Sequence, residues 1–148
     1  EFECLNENLK GNNVKTFNNP LWSEEKNISF YSSNKLRGDS SCFETEDYTH
    51  VSTKKTLTLN NLIKNNVGNN IIKLLKLEAE GAEPEILLGG LKVLNQIMYI
   101  SVDVGPERGL NYDTTLVQTV NILKSNNFEL IKMGHPRLVC LFKNKAII

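Results

Sequence analysis

The chain's 148 residues include 40% hydrophobic side chains and one tryptophan, enough for a single packed core and too few for two. Seventeen basic side chains balance seventeen acidic ones, so no net field draws the protein to nucleic acid or to an anionic membrane surface. Its longest apolar runs, about half a dozen residues, fall far short of the roughly 20 that span a bilayer, and the three scattered cysteines, Cys4, Cys42 and Cys140, have neither zinc-site spacing nor the even count of a disulfide framework. The expectation is one soluble, cytoplasmic domain with a small-molecule or glycan partner.

In chain order, Phe2, Leu5 and Leu9 stand at helical spacing in EFECLNENLK, with no capping residue ahead of them. VKTFNNPLW (14 to 22) has strand composition and a breaker within it. NISFYSS (27 to 33) and KKTLTL (54 to 59) predict two more strands, separated by a polar stretch without sustained period, a long loop of the kind that often carries function. Asn60 is placed to cap a short helix that VGNN ends.

IIKLLKLE (71 to 78) is almost continuously apolar apart from its lysines, the pattern of a strand covered on both faces. Gly81 turns the chain. Glu83 is placed to cap a helix whose first turn suits Pro84 and which carries Ile86, Leu87, Leu91 and Leu94, with Gly89 and Gly90 weakening it or ending it early. IMYISVD (97 to 103) predicts the next strand, GPERGLNYD a loop, and TTLVQTVNILKSNN an amphipathic helix with Leu116, Val120 and Leu123 in register. FELIKM and RLVCLFK close as a hairpin. The order is that of an α/β sheet with one antiparallel pair at its end.

Four glutamates, Glu78, Glu80, Glu83 and Glu85, crowd the end of the apolar 71 to 78 segment. Ligands of open parallel sheets bind beyond the carboxyl ends of the strands, where helix N-termini converge. Glu78 and Glu80 end one such strand and Asp103 ends the next; with neighbouring strands roughly 4.8 Å apart, these acids can face one cleft. There a carboxylate can accept a hydroxyl proton, ligate a metal or bind a cation. Glu83 and Glu85 read instead as first-turn acids that stabilise a helix N-terminus.

Lys76-Leu77-Glu78-Ala79-Glu80-Gly81-Ala82-Glu83, followed by Glu85-Ile86-Leu87 and Gly89, resembles the K-I-D-V-E-G-A-E-x-E-V-L-x-G signature of FkbM-family methyltransferases, with Glu78 where the family usually has aspartate. EFECLNENLK, TLTLNNLI and ISVDVGPERG are similar to other family segments. The resemblance implies a class I, Rossmann-like methyltransferase sheet, mostly parallel with a C-terminal antiparallel hairpin, that binds S-adenosylmethionine and methylates a hydroxyl of a sugar, glycolipid or polyketide-like acceptor. It also implies a domain truncated at its N-terminus, because the family's first strand, Gly-rich turn and acidic second strand have no counterpart in residues 1–148. In the class I strand order, residues 71 to 78 should then pair with 97 to 103 on one side, and 14 to 19 should make no ladder with them or close abnormally onto the free edge.

On that resemblance Glu78 and Glu80 are the catalytic candidates, and Asn18 and Asn19 border the adenine unless they merely form a turn. Asp39 and Ser41, beside Ser40, lie in the long loop near the reaction centre or are simply solvated. With them, Asp103 and Arg108 make up the candidate acceptor side, where Arg108, one of three arginines, grips an acidic group of the acceptor or pairs with a nearby acid such as Glu107. His135 is a possible base at the hairpin tip. Two rival readings are a non-catalytic module that binds a glycan or protein partner, and metal-dependent chemistry at the acidic cluster.

Overall fold

The computed structural model describes residues 2–33, 40–48 and 50–147. Helix α1 (Phe2–Asn8) buries none of its residues. A small antiparallel sheet in the order β2-β1-β3 follows, from β1 (Asn27–Ser32), β2 (Ser40–Ser41) and β3 (His50–Lys55). The strand expected at 14 to 22 does not form. That segment makes a single bridge, Leu21 to Leu57, in which the Trp22 N–H donates to the Leu57 carbonyl (2.9 Å) and the Leu57 N–H to that of Pro20 (3.0 Å). Its composition suits a strand, but no neighbouring strand offers it a ladder.

Strand β3 lies upstream of the expected 54 to 59 because Thr56 turns inward. Its buried hydroxyl donates toward the carbonyls of Glu24 (2.7 Å) and Lys26 (3.0 Å) and accepts the Lys26 N–H, so it competes locally with strand pairing. Thr58 then caps α2 (Leu59–Asn66) by accepting the Asn61 N–H. Asn60, the expected cap, instead accepts the Lys92 N–H at 3.1 Å.

The remaining elements are β4 (Ile72–Leu77), α3 (Glu83–Leu88), a 3-10 turn (Leu94–Gln96), β5 (Ile97–Asp103), β6 (Pro106–Arg108), β7 (Asp113–Thr114), α4 (Leu116–Ser125), β8 (Phe128–Met133) and β9 (Val139–Asn144). The central sheet runs β4-β5-β9-β8. Strands β4 and β5 are parallel; β9 is antiparallel to both β5 and β8. The fold is therefore mixed α/β, and the parallel majority expected from sequence is not seen. Two of the three ladders are antiparallel because β9 returns between β5 and β8 and opposes both.

Among the described residues β4 pairs with β5 and with no other strand, the pairing the strand order predicted, and residues 14 to 19 form no ladder with it. The strand is not covered on both faces as its run of apolar residues suggested. Lys73, Leu74 and Lys76 are exposed, Leu74 by 53%. Burial concentrates one strand further in, where Ile97, Ile100 and Val102 of β5 and Cys140 and Phe142 of β9 meet Leu59, Leu87, Leu94 and Leu123 from the helices and turn. Each such large apolar side chain contributes roughly 1.5–3 kcal/mol by leaving water.

Asn144 closes this core where β9 ends. It is buried; its amide donates to the carbonyls of Leu94 (3.3 Å) and Ile97 (3.0 Å), and its side-chain oxygen accepts the Ala146 N–H (2.9 Å). Asn144→Ala strands all three groups and is expected to cost about 2–3 kcal/mol. Urea denaturation should show this as a lower midpoint at unchanged slope.

Candidate functional site

Beyond the carboxyl end of β4 the chain reverses through Glu80 (φ +48°) and Gly81 (φ +94°), and Glu83 folds back to hold that turn. Its carboxylate, 1% exposed, accepts the N–H groups of Ala79 (2.9 Å) and Gly81 (3.4 Å) and the hydroxyl of Thr115 (3.2 Å). Ala82 occupies the helix cap position, without a side-chain hydrogen bond. Glu83 thus stabilises the loop rather than capping the helix.

Glu85 has a second structural task. It accepts a two-pronged ion pair from Arg108 (2.7 and 2.8 Å), whose guanidinium also donates to the Gly81 carbonyl (2.8 Å) and lies 4.1 Å over the Phe43 ring. The Glu85 hydrogen bond raises the Arg108 pKa, against the opposing effect of burial. Of the two uses foreseen for Arg108, the structure shows the pairing with an acid, made with Glu85. One side chain therefore ties together the loops after β4 and β5 and the segment after β2.

Glu78 and Glu80 are placed differently. Glu78 is exposed and paired with Lys76 at 2.8 Å, an exposed contact worth at most about 1 kcal/mol. The Glu80 backbone carbonyl accepts the hydroxyl of buried Ser41 (2.9 Å), and that hydroxyl in turn accepts the Phe43 N–H (3.0 Å). Ser41, expected in a long loop, thus belongs to the short strand β2 and meets the loop after β4. Asp39 lies outside the described residues.

Asp103, at the end of β5, is 2% exposed and accepts the Gly105 N–H (3.1 Å) and a guanidinium N–H of Arg137 from the β8–β9 turn. Glu107 stands beside it. Burial, reinforced by the charges of Glu80, Asp103 and Glu83 and partly offset by Arg137, pushes its carboxyl up to about 7. The sequence hinted at Glu107 only as a loop acid next to Arg108; the neighbours that perturb it come from four separate segments. Arg137 was not anticipated at all, and the exposed hairpin-tip His135 gains no contact that singles it out.

Two pockets of about 190 Å³ each share Pro20 and Phe30 as lining. One reaches Asn18 and Asn19; the other reaches Ser41, Cys42 and Glu78. Pro20 and Phe30 are thus common to the pocket at the two amides and the pocket at the acidic end of β4. The Asn19 amide donates to the Lys55 carbonyl at 2.9 Å. Burial and the nearby Glu85 push the Cys42 thiol up to about 11, so it is not a thiolate nucleophile at neutral pH. Among the described residues no group of three His, Cys, Asp or Glu side chains is placed to hold a metal ion, and no helix is long and apolar enough to cross a membrane.

Residues 2–130 match the family model described as a Methyltransferase FkbM domain. Searches of curated proteins and of solved structures gave no match.

Proposed function

Since the chain belongs to the FkbM methyltransferase family, we propose that it is an S-adenosylmethionine-dependent O-methyltransferase acting on a hydroxyl of a sugar, glycolipid or polyketide-like acceptor. The observation that carries this reading is the pair of pockets, one at Asn18 and Asn19 and one at Ser41 and Glu78, that share Pro20 and Phe30. The residues fit the cofactor's chemistry. Amides beside an apolar face suit an adenine ring, and Glu78, which lines the second pocket, suits a cationic sulfonium. When bound, the cofactor would supply an electrophilic methyl group. Asn18 and Asn19 would hold its base, and Glu78 and Glu80 would act as acid/base groups. Ser41, Asp103 and Asp39 would line the acceptor side, with Arg108 acting there through the loops it ties. Methyl transfer needs chiefly an in-line approach, so the rate should come mostly from orientation.

A non-catalytic module that binds a glycan or a protein partner is the second reading. It is favoured by the internal use of Glu83, Glu85 and Arg108 as structural groups. Calorimetry of the full chain separates the two. The enzyme reading expects heat from both S-adenosylmethionine and S-adenosylhomocysteine, each competing with the other. Protein that is folded by circular dichroism and takes up neither compound would end that reading.

A further inference from the structure

A third pocket, of about 330 Å³, opens between α2 and the segment that leads from α3 to β5. It shares no lining residue with the two pockets described above. Gln96, in its wall, directly precedes β5 and stands at the opposite end of that strand from Asp103, more than about 20 Å away at the usual rise per residue. Two hydrogen bonds hold the walls together. The Asn60 N–H donates to the Gly89 carbonyl (2.9 Å), and the Asn60 side-chain oxygen accepts the Lys92 N–H (3.1 Å). Gly90 allows the close approach, since a methyl group added there would sit 2.7 Å from Leu59 Cδ2 of α2.

The lining carries charge of one sign. Lys64, in the last turn of α2, and Lys92 both line the pocket and no aspartate or glutamate does. Neither ammonium group has an ion-pair partner among the described residues. Glu25, which accepts the Asn61 amide at 2.7 Å, is not part of the lining. Carboxamides make up most of the remaining lining: Asn60, Asn61, Asn69 and Gln96. The Gln96 carbonyl oxygen is shut off from water and has no donor among the described residues, a rare state for a buried acceptor. No hydrogen bond fixes that oxygen, and the last torsion of a glutamine is soft, so the amide can turn to meet a donor that a ligand brings.

We propose that this pocket binds a polyhydroxylated ring bearing a phosphate monoester, as in a sugar phosphate. The two lysines match the charge of such a phosphate, roughly −2 at neutral pH. The carboxamides, each with donors and an acceptor, match ring hydroxyls, and Gln96 receives from one of them the donor it lacks. A volume of 330 Å³ lies at the small end of ligand sites, room for one ring and its phosphate rather than an oligosaccharide. The site does not depend on the methyltransferase reading.

Nitrogen-15 NMR of the full chain tests this with three probes: glucose-6-phosphate, inorganic phosphate and glucose. The side-chain amide signals of Asn60, Asn61, Asn69 and Gln96 should shift and saturate with glucose-6-phosphate, at least about 10-fold more tightly than with inorganic phosphate, and should not saturate with glucose. Equal affinity for phosphate and sugar phosphate would mean an adventitious ion only, and no saturation with either overturns the proposal. Lys64→Gln and Lys92→Gln should each weaken binding at least about 5-fold, and added salt should do the same to the parent protein; binding unchanged in both variants also overturns it. Gln96→Leu separates binding from folding. It removes the acceptor without a donor at nearly constant volume, so it should melt no lower than the parent protein, while its affinity for glucose-6-phosphate falls to that for inorganic phosphate. An undiminished preference for the sugar phosphate in Gln96→Leu removes the hydroxyl contact and the ring with it. Phosphatidylcholine vesicles with and without phosphatidylinositol phosphate distinguish the two sources of such a group. Sedimentation with the phosphoinositide vesicles, reversed by glucose-6-phosphate, assigns the pocket to a lipid headgroup; saturable binding of glucose-6-phosphate without sedimentation assigns it to a free sugar phosphate.

Discussion

Glu83→Ala is expected to destabilise the protein by about 3–5 kcal/mol. The carboxylate is inaccessible to water and satisfies three donors at once: two backbone N–H groups of the turn after β4 and the hydroxyl of Thr115. Each buried donor left without a partner costs roughly 1–3 kcal/mol, and the emptied volume adds to that. Glu83→Gln keeps an acceptor oxygen in nearly the same place and should cost less than half as much. Chemical denaturation of the two variants separates lost hydrogen bonds from lost charge. Equal losses would mean that charge, rather than the acceptor geometry, holds the turn, and a loss under about 1 kcal/mol for alanine would contradict the buried network altogether.

That result bears on how much of this site was visible in the sequence. The cluster of acids after the apolar 71 to 78 segment is where the sequence points to a site. Composition could not say which acids face inward, because that is decided by Thr115, 32 residues from Glu83, and by Arg108, 23 residues from Glu85. Glu107 was harder to find, since its high proton affinity is a property of four converging segments and of no local pattern. The fold was legible where periodicity and burial agree. IMYISVD predicts a strand with the ends β5 has, and the apolar spacing in α4 brought Leu123 to the core. It was misleading where a partner had to be supplied from elsewhere, as for residues 14 to 22, or where a hydroxyl preferred a local backbone group, as at Thr56. At β4 the class I strand order predicted the partner β5 correctly, whereas the apolar run predicted coverage wrongly, because hydrophobicity reports the tendency to be covered and not which neighbour does the covering.

Gly81→Ala should be comparably damaging, at about 3–5 kcal/mol, for two reasons that add. The backbone there has φ +94°, a conformation that costs an L side chain about 1–2 kcal/mol. Independently, an added Cβ would lie 2.7 Å from both Cα and Cβ of Arg108, a contact no rotamer change can relieve because one of the atoms is backbone. Relief must come from moving β6 away from the β4 loop. That movement would stretch the Arg108 hydrogen bond to the Gly81 carbonyl and disturb the pairing with Glu85. Gly68→Ala provides the control. Its φ is also positive, +65°, but nothing lies within 4 Å of the added carbon, so the conformational penalty of about 1 kcal/mol should stand alone. The difference between the two variants, read from denaturation midpoints at equal slope, measures the close approach of the two loops. If both substitutions cost the same, Arg108 does not pack against Gly81 in solution, and the brace that holds the loops after β4 and β5 together would have to be abandoned along with the site geometry it supports.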